Sequence, residues 1–276
     1  MGRRNPGGCV MGRRNPGGYG IGMEPVYSSV ITIARGVFAL QGLKFTLSGA
    51  ENVPRTGGAV MAINHTGYMD FTYAGLAAQP SGRLVRFMAK DQVFTHKISG
   101  PLMRGMRHIP VDRDAGAASF RAAVQALKSG EIVGVFPEAT ISRSFELKEF
   151  KSGTVRMAVS AGVPILPTVI WGSQRVWTKD HPKRLGRTGV PIFLSVGEPI
   201  TATRKDDPEE VTNRLGHAMT ELLHAAQAGY PLLTGDDLTF LPARLGGTAP
   251  TPERAQQLDE EEAVARAARR AAKAGH

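Results

Sequence analysis

Thr56-Gly57-Gly58-Ala59-Val60-Met61-Ala62-Ile63-Asn64-His65-Thr66-Gly67-Tyr68-Met69-Asp70 is the stretch on which the fold turns. The apolar run Ala59–Asn64 follows a Gly-Gly turn and lacks polar alternation, the pattern of a strand buried on both faces. A helix is predicted from Met69 to about Ala78, so this is one strand–turn–helix unit. The same alternation continues downstream. Val85–Ala89, Ile109–Arg113, Glu131–Phe136, Pro164–Trp171 and Pro191–Val196 read as strands. Between and beyond them, Ala117–Lys128 and Ser152–Ala161 read as helices. Asp206/Asp207-Pro208 supplies an N-cap and N1 proline to a third, with Val211, Leu215, Met219, Leu222 and Leu223 on one face. Strands separated by helices predict an α/β fold, a mostly parallel or mixed β-sheet flanked by helices.

The ends read differently. Met-Gly-Arg-Arg-Asn-Pro-Gly-Gly occurs at 1–8 and again at 11–18, and no apolar segment follows that would make it a signal peptide. Residues 1–22 are set apart as this duplicated Gly/Arg-rich stretch, expected to be disordered. In 23–43, Val26, Val30, Ile33, Ala34, Val37, Phe38 and Leu40 recur at helical spacing around Arg35. The stretch is too short and too polar to span a bilayer and is expected to form an amphipathic helix, packed on its own domain or membrane-associating and lying flat on the bilayer. Residues 246–276 are Ala- and charge-rich with almost no large apolar side chain, the composition of a solvated tail or fraying helix.

The chain has 276 residues, 34 Lys+Arg against 24 Asp+Glu for a net charge of +10, and one cysteine. That length buries a substantial core. One cysteine excludes an internal disulfide and a cysteine-based zinc cage, and fits a reducing cytoplasm. The charge calls for an anionic partner: nucleic acid, a phosphorylated ligand, an acidic protein or a membrane surface.

Ligand sites in such sheets lie beyond the carboxyl ends of the strands. His65 leaves the first strand there and Asp70 begins the next helix. A turn through Gly67 brings the carboxylate to one ring nitrogen and leaves the other as a general base. Such a pair also arises by chance, and His108 with Asp112, inside a strand-like segment, is a structural decoy. Arg113 ends the strand Ile109–Arg113, where a guanidinium suits bidentate phosphate binding. Glu138 and Thr140 in Phe136-Pro137-Glu138-Ala139-Thr140 follow another strand, where they are candidates to position a polar substrate. Val163-Pro164-Ile165-Leu166-Pro167 brackets a buried strand with prolines.

Taken in order, these blocks resemble the glycerolipid acyltransferase family, over roughly Leu43 to Ile200. Asn64–Asp70 resembles its NHxxxxD motif, and Ile109–Arg113 its second block, whose arginine contacts the acceptor phosphate. Phe136–Thr140 is similar to FPEGT and Phe150-Lys151-Ser152-Gly153 to FKxG. Val163–Pro167 is similar to the fourth block, and Gly197-Glu198-Pro199-Ile200 to the closing GEPI. The resemblance implies a glycerol-3-phosphate acyltransferase-like fold over 44–245. It also implies acyl transfer from acyl-CoA or acyl carrier protein, as co-substrate, to lysophosphatidic acid, with no cofactor and no metal. His65 and Asp70 are then catalytic. Arg113 and Glu138 bind the acceptor, with Thr140 and Lys151 as further substrate-binding candidates. The chain departs at Ala139 and Ile141, where the family has glycine and arginine; Arg143 and Lys151 are candidates to replace the lost cation.

Rival readings fare worse. Ala158-Val159-Ser160-Ala161-Gly162 sits where a helix runs into a strand, the reverse of a nucleophile elbow. No P-loop, dinucleotide fingerprint or metal-ligand cluster stands out. A basic, non-enzymatic protein binding nucleic acid or anionic membrane is the remaining alternative. Seven Lys/Arg against two Asp in Arg83–Arg113, and five against one in Arg175–Arg187, fall inside the family-like region. They predict an anionic membrane surface, not nucleic acid, as partner, and a peripheral place on the cytoplasmic face of the cell membrane.

Overall fold

The computed structural model describes residues 24–112 and 116–274. The duplicated N-terminal stretch and Arg113 lie outside the described residues. Seven strands form one sheet: β1 (Lys44–Ser48), β2 (Ala59–Ile63), β3 (Val85–Lys90), β4 (Ile109–Val111), β5 (Ile132–Val135), β6 (Ile165–Trp171) and β7 (Pro191–Val196). Their spatial order is β1-β7-β6-β2-β5-β3-β4. Every neighbouring pair is parallel except β6 with β7, so the sheet is mixed, as predicted.

The quoted strand lies in the middle of the sheet, with all five residues of β2 buried. Successive side chains point to opposite faces. Val60 and Ala62 therefore join one core, while Ala59, Met61 and Ile63 join the other. On the first face pack α5 (Gly116–Lys128), α6 (Gly153–Ala161) and α7 (Pro208–Ala228), through Leu127, Val155, Ala158, Leu215 and Met219. On the second pack α1 (Pro25–Leu40) through Phe38 and α2 (Asp70–Ala77) through Tyr73, Ala74 and Ala77. Of the two aspartates before α7, Asp207 is the cap: its Oδ1 accepts the Glu209 N–H at 3.0 Å.

The short helices α3 (Asp91–Thr95) and α4 (Ser99–Gly105) cover the β3–β4 edge. A third small core of Tyr27, Leu84, Phe94, Met103 and Met106 joins them to α1. The entry to α1 is pinned by Glu24, whose carboxylate accepts from the buried Arg86 guanidinium, and by the Tyr27 hydroxyl, which donates to the Val85 carbonyl at 2.8 Å.

Of the two expectations for the C-terminal stretch, the helix is the one observed. Residues Pro252–Ala274 form a helix, α8. Asp259 and Glu262 on it bind Arg143 and Lys179, and Asp259 also binds Lys148. The acidic run that looked like a solvated face is therefore a set of contacts to the domain.

Candidate active site

β2 ends at Ile63, and Asn64 continues its pairing with β6 by side chain. Its Oδ1 accepts the Ile170 N–H at 2.7 Å, and its Nδ2 donates to the Ile170 carbonyl at 3.0 Å. An amide does this because it carries a donor and an acceptor in peptide-like geometry. His65 is thereby set at the carboxyl end of the central strand.

The chain then turns so that Asp70, fully buried at the start of α2, faces back. Its Oδ2 stands 2.9 Å from His65 Nδ1 and accepts the N–H groups of Thr66 at 2.8 Å and Gly67 at 2.9 Å. Nδ1 facing a carboxylate carries the proton, which leaves Nε2 with its lone pair. The His65 ring stacks on Phe136, centroids 4.2 Å apart and planes 26° apart. Gly67 is required here for space. A Cβ on it would stand 2.9 Å from Ser173 Oγ and 3.0 Å from the Trp177 carbonyl oxygen.

Glu138 is turned toward the His65 loop. It is buried, and its Oε1 accepts the His65 N–H at 2.8 Å while Oε2 accepts the Lys148 N–H at 3.2 Å. It braces the loop that carries the histidine. Burial pushes its carboxyl up to about 8, with the two N–H bonds and Lys148 opposing. The Thr140 hydroxyl accepts from Lys179 Nζ at 3.0 Å, in the network that holds α8. The decoy is structural, since buried His108 accepts the Phe87 N–H at Nδ1.

Ala139 adopts φ 60°, so alanine occupies the left-handed conformation that glycine takes without cost. Ile141 is buried. Arg143 does not replace a cation there: its side chain is 8% exposed and turned to Asp180, Asp259 and Glu262. These carboxylates hold its guanidinium more firmly protonated than an ordinary arginine. Lys151, by contrast, is exposed and stands on the rim of the cleft that contains His65.

That cleft measures about 590 Å³. Its walls are mainly apolar, with Phe87, Met103, Val135 and Met157 inside and Tyr68 and Phe71 near the histidine. A base at the mouth of a greasy cleft suits a reaction in which a hydrocarbon chain is bound while a polar group loses a proton. Nothing in the motif blocks signalled Ser173, whose Oγ–H donates to Asp70 Oδ1.

Comparison with known proteins agrees with this geometry. A family model described as Acyltransferase matches residues 44–171. The 1-acyl-sn-glycerol-3-phosphate acyltransferase of Bacillus subtilis is 32% identical over 151 residues, 54% of this chain and 70% of that protein. The protein of the same name from Borreliella burgdorferi is 25% identical over 177 residues, 62% of this chain and 67% of that one. The crystal structure of the lysophosphatidic acid acyltransferase PlsC from Thermotoga maritima shares the fold, with a TM-score of 0.61 at 21% identity over 74% of this chain and 81% of that one. The likeness to the Bacillus protein spans more than two thirds of its length, and the family model includes β2 and the turn after it; on that ground the chain belongs to the acyltransferase family.

Proposed function

We propose that this acyltransferase moves an acyl chain from a thioester donor, acyl-CoA or acyl carrier protein, to the free hydroxyl of a monoacylglycerol 3-phosphate, giving phosphatidic acid. The observation that carries the proposal is the His65–Asp70 pair at the mouth of the apolar cleft. His65 Nε2 takes the proton of the acceptor hydroxyl, and the oxygen attacks the thioester carbonyl carbon. The tetrahedral oxyanion then collapses, the carbon–sulfur bond breaks, and the imidazolium returns its proton to the departing sulfur as a free thiol. Asp70 fixes the tautomer and stabilises the imidazolium. The acyl chain lies along the apolar wall. Lys151 on the rim binds the phosphate, and the family resemblance assigns Arg113 to the same group.

Exposed Tyr68 and Phe71 beside the histidine, and Ile98 and Leu102 at α4, support binding to an anionic membrane surface, where both substrates partition. The place proposed is the inner face of the cell membrane. Among the described residues no helix is long and apolar enough to cross a membrane.

The test is thiol release from palmitoyl- or oleoyl-CoA that depends on added lysophosphatidic acid. His65→Ala is expected to lower kcat by about 10²–10⁴-fold; turnover near wild type overturns the assignment. A second reading, another lysolipid as acceptor, is favoured by buried Ile141 and the turned-away Arg143, which leave fewer cations at this cleft. A panel of monoacyl acceptors separates the two.

A further inference from the structure

One hydroxyl outside every motif block touches the carboxylate that orients the base. Ser173 follows β6, more than a hundred residues from the His65 loop, and is completely buried. Its Oγ–H donates to Asp70 Oδ1, the one donor to that oxygen among the described residues. The other oxygen already accepts from His65, Thr66 and Gly67. Thr66 Oγ1 lies 3.2 Å from Ser173 Oγ. Because the single serine proton goes to the carboxylate, Thr66 is the donor in that contact. The relay therefore runs from Thr66 to Ser173 to Asp70.

The surrounding backbone holds this relay in place. Thr178 Oγ1 donates to the Thr66 carbonyl at 2.6 Å, and the Trp177 carbonyl accepts the Tyr68 N–H at 2.9 Å. The segment Ser173–Thr178 is thus folded against the turn between His65 and Asp70. The close approach at Gly67 shows that it stands at van der Waals contact.

We infer that Ser173 is a positioning residue for acyl transfer, fixing the rotation of the Asp70 carboxylate so that Oδ2 meets His65 Nδ1. A buried carboxylate oxygen without a donor is costly, and Asp70 would turn to recover one. That turn would lengthen the bond to Nδ1 and loosen the tautomer that leaves Nε2 free. Groups that orient a catalytic side chain act through it, without touching substrate. The inference rests on the reading of His65 as the base.

The experiment compares Ser173→Ala with Ser173→Thr, which keeps the hydroxyl. The alanine variant is expected to lose about 10- to 100-fold in kcat with the KM for donor and acceptor unchanged, and the threonine variant to recover most of it. In parallel, the downfield proton resonance of His65 Nδ1–H is expected to be sharp in the unaltered protein, to broaden or vanish with alanine and to return with threonine. Should the alanine variant fail to fold, Ser173→Cys, similar in size but a weak donor, provides the same comparison. A kcat within about two-fold of wild type with the resonance intact overturns the inference, as does a change in KM alone. His65→Ala, run alongside, keeps the two claims apart. An active His65→Ala overturns the base itself. An inactive His65→Ala beside a fully active Ser173→Ala overturns only the serine.

Discussion

At the residue scale the buried carboxylates of the site play unlike parts. Asp70 accepts from the Thr66 and Gly67 N–H groups and from the Ser173 hydroxyl, while Glu138 is pushed up to about 8 by burial. The second has a consequence for stability. In the unfolded chain Glu138 returns to its ordinary 4.5, so between about 4.5 and about 8 the folded protein holds a proton that the unfolded chain releases. Stability is therefore full below the lower value and falls as pH rises through the window. The thermal midpoint should decline from pH 5 to pH 8, and Glu138→Gln should flatten that slope while lowering the midpoint throughout, since an amide cannot accept both N–H groups. A slope unchanged in Glu138→Gln would place the titration elsewhere. Sequence position alone did not reveal the bracing contacts of this residue. A glutamate following a strand looks like a ligand for a polar substrate, and burial with two backbone donors is invisible in the residue string.

At the scale of elements, six of the seven strands and the longer helices were legible because periodicity and burial agree, whereas the edge strand β1 and the short helices α3 and α4 were not read. β2 is apolar throughout, and α7 has its predicted cap and face. The docking of the C-terminal helix was not legible, because Asp259 and Glu262 in an Ala-rich stretch have the composition of a solvated face. Their partners, Arg143, Lys148 and Lys179, are some 80 to 119 residues away. Burial opposes the ionised form of both acids, but the pairing outweighs it and lowers both, Glu262 to about 2 through its bonds to Arg143 and Lys179. Arg143 is the centre of this contact. Removing it leaves Asp259 with two lysines, and Asp180 and Glu262 partly in water. Arg143→Ala should therefore cost about 2 kcal/mol, below the 3–5 kcal/mol (about) of a fully buried pair. Arg266→Ala, an exposed i,i+4 pair with Glu262, should cost about 0.5 kcal/mol or less by denaturant unfolding. Equal losses would show that α8 is not held at Arg143.

Across the whole molecule, the net charge of +10 overstates what is offered to a partner. Arg83 donates to the carbonyls of Pro54, Gly57 and Gly130, Arg86 to Glu24 and Glu131, and Arg175 and Arg184 to Asp237. Several of the cations in the two basic clusters are thus committed to internal contacts. Membrane binding should lean more on apolar contact. Ile98 is 74% exposed and Leu102 42%, at α4 and outside the lining of the cleft. The double substitution Ile98→Asp with Leu102→Asp should weaken sedimentation with anionic vesicles at least about 10-fold, at unchanged thermal midpoint and unchanged turnover of short-chain, water-soluble substrates. Unaltered vesicle binding would move the contact elsewhere.

The reach of Ser173 and Thr178 back to the Thr66–Asp70 turn bears on how the protein matures. Pairs separated by more than a hundred residues close late, because the intervening chain must first be ordered. A nascent chain that has emerged only as far as β5 contains both His65 and Asp70 yet lacks the hydroxyl that aligns them. Helical structure should therefore form before acyl transfer does, and the enzyme stays silent until β6 and its following segment have docked.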